Sequence, residues 1–227
     1  MYSLNVIQKL AILVLPMVFA ITVHEAAHGW MAKRLGDKTA EMLGRVSLNP
    51  LKHIDPIGTI LVPVGLFLMT HFIFGWAKPV PVTWRNLHNP KRDMGLVALA
   101  GPGANLLMAL FWAITIHLGA MLPQDYAWFS VPLLLMGVAG VLFNAVLMAL
   151  NLLPILPLDG GRILYSLLPQ KQAQVYSRSE PYGLIIVMIL LVTQQLELLL
   201  KPLVTLIIMV LPSSDVVAQL LPLIFGP

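Results

Sequence analysis

The sequence predicts an all-α polytopic membrane protein: a bundle of about five to six transmembrane helices with a re-entrant segment and short membrane-associated β-strands. Three observations carry this expectation. Of 227 residues, 58% are hydrophobic and only 11% charged, whereas soluble domains carry about 25% charged residues; mean hydropathy is +0.85. The apolar residues fall in long runs, several of them near the roughly 20 residues that a helix needs to cross a hydrocarbon core. The basic residues behind the net charge of +4 lie in the short loops between those runs, so membrane orientation explains them better than nucleic-acid binding does. With no cysteine in the chain, disulfides, thiolate metal sites and cysteine nucleophiles are all excluded.

Residues 4–34 read as the first helix, ending near Gly36, with Pro16 expected to kink it. Lys33, Arg34 and Lys38 follow at once, which places that end in the cytoplasm by the positive-inside rule. The apolar run leads into chemistry-bearing residues rather than a small-residue cleavage site, so no cleavable signal peptide is expected. Residues 42–48 read as a short strand ended by Asn49-Pro50. Residues 56–76 are apolar but contain Gly58, Pro63 and Gly65, and basic loops flank them on both sides. A re-entrant excursion is therefore expected there, with its broken backbone facing protein or a wet cavity.

Val80, Val82 and Trp84 alternate with Pro81 and Thr83, the pattern of an edge strand over 79–84. Residues 93–119 form the next span, and Gly101-Pro102-Gly103-Ala104-Asn105 permits close helix packing there. The following loop, 122–130, holds no Lys or Arg and is read as external. Residues 131–153 span back, and the Pro-rich stretch from Pro154 to Arg162 interrupts the helix at depth. Two more apolar runs follow, 183–200 and 202–225, divided at Lys201-Pro202. Pro212-Ser213-Ser214-Asp215 breaks the second, so it need not cross fully.

The chemistry begins at His24-Glu25-Ala26-Ala27-His28. On a helix, His24 and His28 share one face and both imidazoles can bind one zinc ion, with Glu25 near enough to act as a general base on water. Ionisable groups at membrane depth are costly and functional by default. Ten residues at 1.5 Å each separate His24 from Arg34, a depth of about 10–15 Å. Catalytic zinc usually has three protein ligands, and few acidic residues lie in or near apolar segments: Glu25, Asp55, Asp93, Asp159 and Glu197. Asp159 is the best third ligand, because it follows the helix break and Gly160-Gly161 lets the chain turn around it. A metal-assisted hydrolysis of a peptide bond is the reaction such a set would perform. A His/His/Asp set is only moderately selective, so another divalent ion is an alternative to zinc.

The helix motif together with Asn151-Leu152-Leu153-Pro154-Ile155-Leu156-Pro157-Leu158-Asp159-Gly160-Gly161-Arg162 resembles the site-2 protease family of intramembrane zinc metalloproteases. Gly44-Arg45-Val46-Ser47-Leu48-Asn49-Pro50, Gly75-Trp76-Ala77-Lys78-Pro79-Val80-Pro81-Val82 and Ala100-Gly101-Pro102 resemble its compact class, which lacks PDZ and CBS domains. The likeness runs from about residue 20 to residue 165. It implies one Zn²⁺ held by His24, His28 and Asp159, with Glu25 as general base. It also implies cleavage of the transmembrane segments of substrate proteins near the cytoplasmic face of a prokaryotic inner membrane. Asn151 occupies the family's asparagine position, eight residues before Asp159, where it would hold the scissile carbonyl or the substrate backbone. Arg162 is expected to position Asp159 or meet lipid headgroups.

Residues 1–227 are thus read as a single integral membrane peptidase domain, with a catalytic core over about 4–165 and C-terminal helices over about 183–225. The partners implied are transmembrane protein substrates and the lipid bilayer, with no nucleic acid. The strand over 79–84 would offer its edge to an unwound substrate. His53 is expected either to line the site or to sit at the membrane interface. Asn105 and Asn144 are lone polar residues within spans and read first as interhelical glue; His71, His88 and His117 read as packing or interface residues. The competing functions are a zinc-binding transporter or sensor, which leaves Glu25 without a role, and a non-catalytic scaffold, which leaves the intact residue set unexplained.

Overall fold

The structure, a computed structural model, describes residues 6–55 and 78–225. The segment expected to be re-entrant, 56–76, lies outside the described residues.

Helix α1, Val6–Arg34, runs on through Pro16 and carries Lys33 and Arg34 in its last turn. A single turn, α2 (Thr39–Met42), follows. Helix α3, Pro90–Ala120, starts with proline at its first position and contains Pro102. Helix α4, Ala127–Asn151, follows a 3-10 turn at Gln124–Tyr126. Among the described residues, these three are the helices long and apolar enough to cross a membrane.

The C-terminal part is made of shorter helices: α5 (Asp159–Leu167), α6 (Gln170–Ser177), α7 (Glu180–Val192), α8 (Gln195–Met209) and α9 (Ser214–Phe225). At 1.5 Å per residue, α7, α8 and α9 measure about 18–22 Å, short of a hydrocarbon core of about 30 Å. A fourth crossing is available if α6 and α7, bent by 61° to one another, form one broken span. The described residues therefore establish an all-helical protein with three candidate spans, and five to six spans remain an expectation.

Three elements differ from the sequence reading. The C-terminal break falls at Thr193 and Gln194, not at Lys201-Pro202. Gln194 adopts a left-handed backbone (φ 60) that ends one helix and starts the next. Pro202 is absorbed inside α8, where it forfeits one intrahelical hydrogen bond. The strands expected at 42–48 and 79–84 are absent: no residue among those described is in a strand. Pro79 and Pro81 have no N–H to donate, and the N–H groups of Val80 and Thr83 go to the side chains of Glu25 and Asp37. A strand ladder needs those donors for a neighbouring backbone, so 78–83 forms an extended strap along α1 instead.

The spans α1, α3 and α4 pack together. Ala109, Trp112, Ala113 and Ile116 on α3 bury against Val138 and Val141 on α4, and Leu211 and Val217 close this cluster from the C-terminal side. Ile12 on α1 meets Leu135 and Ala139 on α4. The close approach of α3 and α4 depends on small residues: a Cβ on Gly137 would lie 2.5 Å from Ile116 Cγ1.

Candidate metal centre

Four residues are just over one helical turn, so α1 stacks His24 and His28 on one face. Their Nε2 atoms are 3.0 Å apart. Helix α4 stops at Asn151, the chain crosses the Pro154–Pro157 break, and α5 restarts with Asp159 in its first turn, where a carboxylate is favoured by the helix dipole. A Cβ on Gly160 would strike the Leu152 carbonyl, and one on Gly161 would come within 2.5 Å of Leu156 N, so glycines let the start of α5 lie on the break. Tyr176 on α6 holds the break from outside by donating its hydroxyl to Pro154 O at 3.0 Å.

Asp159 Oδ2 lies 3.3 Å from His24 Nε2 and 3.4 Å from His28 Nε2. Among the described residues, His24, His28 and Asp159 form the one group of three whose donor atoms converge closely enough for a single ion. Asp93 is occupied elsewhere, accepting from Asn89 N–H at the start of α3.

The chemistry of these atoms fits zinc. His28 Nδ1 faces the Val97 carbonyl at 2.8 Å and His24 Nδ1 faces Asn105 Oδ1 at 2.6 Å. Each acceptor draws the imidazole proton to Nδ1 and leaves Nε2 as a bare lone pair. Asp159 Oδ2 is itself buried with no hydrogen-bond partner. Three lone pairs thus meet out of water, an arrangement that a cation favours and that is repulsive without one. Tetrahedral zinc with bonds of ~2.0–2.1 Å separates its ligand atoms by about 3.3 Å, and the observed edges are 3.0, 3.3 and 3.4 Å. Gly101 on α3 lies directly against the pair: a Cβ there would stand 2.6 Å from His24 Cε1 and from His28 Cε1.

Glu25 points to the strap, where its Oε2 accepts Val80 N–H at 2.8 Å. The strap is anchored at both ends. Arg45 Nη2 donates to the carbonyls of Lys78 and Pro79 at 2.8 and 3.4 Å. Thr83 N–H donates to Asp37 Oδ2 at 2.7 Å. Asp37, beyond the end of α1 and fully buried, also accepts from Thr39 N–H, Thr39 Oγ1 and Asn86 Nδ2 at 3.1, 2.5 and 3.0 Å. Burial pushes this carboxyl up, but the hydrogen bonds from Thr39, Thr83 and Asn86 outweigh it and hold the group below its ordinary value.

Residues 120–194, which include Asn151 and Asp159, match the model of peptidase family M50. A Bacillus subtilis protein named "Putative zinc metalloprotease YwhC" is 37% identical over 218 residues, 95% of this chain and 93% of that protein. The chain belongs to peptidase family M50. The Mycolicibacterium smegmatis protein "Putative zinc metalloprotease Rip2" is 30% identical over 190 residues, 79% of this chain and 66% of that protein. Its Mycobacterium tuberculosis namesake is 26% identical over 182 residues, 78% of this chain and 65% of its own. No solved structure matches the chain.

M50 is the site-2 protease family, and the chain is accordingly an integral membrane zinc metalloprotease. Within that frame the remaining candidates sort by position. Asn151 turns its Nδ2 back to the Leu147 carbonyl at 3.0 Å; among the described residues no hydrogen bond joins it to the three convergent side chains. Arg162 pairs with Glu180 Oε1 at 3.0 Å and stacks over Trp84, 4.9 Å from the ring centroid. It thereby ties α5 to α7 and to the turn after the strap, rather than touching Asp159. His53 is buried and its Nε2 donates to the Ser47 carbonyl at 2.8 Å. His117 Nε2 lies 3.1 Å from the Pro212 carbonyl, a packing contact. Sequence reasoning gave Gly101 to close helix packing without placing it against the histidines, and underread Asn105. Polarity within a span was the available signal for Asn105, but its partner His24 is 81 residues away.

Proposed function

We propose that this protease hydrolyses peptide bonds in or near the transmembrane segments of other proteins, with one zinc ion held by His24, His28 and Asp159. The observation that carries the reading is the meeting of three donor atoms, two of them on buried residues, 3.0–3.4 Å apart, from two separate helices of a membrane bundle. Bound zinc supplies a Lewis acid that acidifies water and polarises a carbonyl. Glu25 is the general base: its carboxylate takes the proton of the attacking water and returns it to the leaving amide nitrogen. Val80 N–H holds that carboxylate in one orientation through Oε2. Asn151, at the end of α4, would turn from Leu147 to the substrate backbone when substrate is present.

A substrate helix hides its carbonyls in its own hydrogen bonds, so it must unwind to be cut. Val80 N–H is already committed to Glu25, so strand addition to the strap would have to use its other backbone groups. The Lys33, Arg34 and Lys38 cluster at the C-terminal end of α1 supports a centre nearer the cytoplasmic face, in a prokaryotic inner membrane. Co-expression with tagged single-span proteins, parent against Glu25→Gln, tests the reading. The parent cuts at least one of them within or beside its span, and Glu25→Gln keeps its zinc but loses the cleavage. Cleavage that persists in Glu25→Gln overturns the assignment.

A further inference from the structure

Asn105 and Asn144 are completely buried in the bundle, and the peptidase reaction assigns them no role. Asn105 Oδ1 lies 2.6 Å from His24 Nδ1. Asn105 Nδ2 donates to Asn144 Oδ1 at 2.9 Å and, more weakly, to Ala20 O at 3.4 Å. Asn144 Nδ2 donates to the Gly140 carbonyl at 2.8 Å. The four groups form a chain across all three long helices: His24 on α1, Asn105 on α3, Asn144 and Gly140 on α4.

The chain has a direction, and its far end sets it. A backbone carbonyl can only accept, so Gly140 requires the Asn144 amide to point its NH₂ that way. Asn144 then presents its oxygen to Asn105, whose NH₂ must face that oxygen. Asn105 in turn presents its own oxygen to His24. Turning either amide over would set oxygen against oxygen or N–H against N–H where no water can mediate, which costs about 1–3 kcal/mol per group. Free neutral imidazole favours the proton on Nε2; the relay demands it on Nδ1 and so keeps Nε2 bare.

We propose that Asn105 and Asn144 are positioning residues for the metal centre: the Gly140–Asn144–Asn105 relay locks His24 in its Nδ1–H form and ring orientation, and so sets zinc affinity. The inference rests on the reading of His24 as a zinc ligand. It gives these asparagines a purpose beyond holding helices together, because the same bonds that join α1, α3 and α4 also prepare a ligand.

Two readouts test it on the full chain in detergent micelles. The first is ¹⁵N NMR of ring-labelled histidine in the metal-free parent, with the His24 signals assigned by their loss in His24→Gln. The relay predicts the Nδ1–H tautomer, and an Nε2–H tautomer overturns it. The second is zinc affinity by competition with a chromophoric chelator. Asn105→Leu, which leaves His24 without its acceptor, should weaken zinc about 10–100-fold, the range for lost partners of metal-bound histidines. Asn144→Leu, which spares the direct contact, should cost less. Asn105→Asp restores an acceptor and should recover most of the loss; a purely structural role predicts no such rescue. Zinc bound by Asn105→Leu as tightly as by the parent overturns the relay alone, provided His24→Ala has lost its zinc. Zinc retained by His24→Ala overturns the ligand reading and the relay with it.

Discussion

Gly101→Ala is the sharpest packing test of the centre. The added methyl would stand 2.6 Å from His24 Cε1 and His28 Cε1, and closer still to His28 Nε2. Ordinary carbon contacts lie near 3.5–4.0 Å, so something must yield by about 1 Å. The rings have little freedom to do so: each is fixed through Nδ1, His24 at 2.6 Å to Asn105 and His28 at 2.8 Å to Val97. An overpacked site costs about 1–3 kcal/mol. If that strain falls on ligand placement, zinc affinity drops about 5- to 150-fold at 1.4 kcal/mol per factor of ten. The control is two residues along the same helix. A Cβ on Gly103 meets nothing within 4 Å, so Gly103→Ala should bind zinc as the parent does and be neutral or slightly more stable. The assay is zinc content after purification plus chelator competition on both variants. Gly101→Ala with parental affinity would refute the placement of α3 against the histidine pair.

Further outcomes follow from the strap and its anchors. Val80→Pro deletes the N–H that Glu25 accepts and should lower turnover by about tenfold or more, since hydrogen bonds to charged groups contribute ~1.5–3 kcal/mol; zinc content stays unchanged and Val80→Ala, which keeps the N–H, behaves as the parent. Asp37→Ala orphans Thr83 N–H and the donors of Thr39 and Asn86, for a loss of about 2–4 kcal/mol in denaturant unfolding. Because the folded-state value of Asp37 lies below its ordinary 3.8, its stabilisation is complete above that pH and disappears as pH falls through the lower value. Parent and Asp37→Ala should therefore converge in stability at strongly acidic pH and differ most near neutrality. Arg162→Lys keeps the charge but loses the planar stack on Trp84 and the fixed geometry toward Glu180; thermal unfolding should show a loss of about 1 kcal/mol or less, because Glu180 is partly exposed.

The parts of this protein that were legible in its sequence are those whose cause is local. Helical spacing alone puts His24 and His28 on one face, and a proline-rich break before two glycines marks where Asp159 can leave the regular helix. The long spans of α1, α3 and α4 follow from apolar length. What the sequence concealed depends on partners far along the chain. The Val80–Trp84 alternation reads as a strand, yet its backbone donors are taken by Glu25 and Asp37, 55 and 46 residues earlier. Pro202 looked like the C-terminal break because proline lacks a donor, but a helix tolerates that loss and the left-handed Gln194 makes the turn instead. Asn105 and Asn144 were visible as polar residues in apolar helices, and only the fold shows that one of them faces a histidine.

His24, His28, Asp159 and Glu25 are proposed to form a single zinc peptidase centre. Zinc content and cleavage of one single-span substrate, measured on the same vesicle-reconstituted samples, test it most directly. About one zinc per chain is expected in the parent and in Glu25→Gln, with cleavage lowered ~10²–10⁴-fold in the latter, and loss of both zinc and cleavage in His24→Ala, His28→Ala and Asp159→Ala. Stoichiometric zinc in those three variants, or parental cleavage by Glu25→Gln, would contradict it.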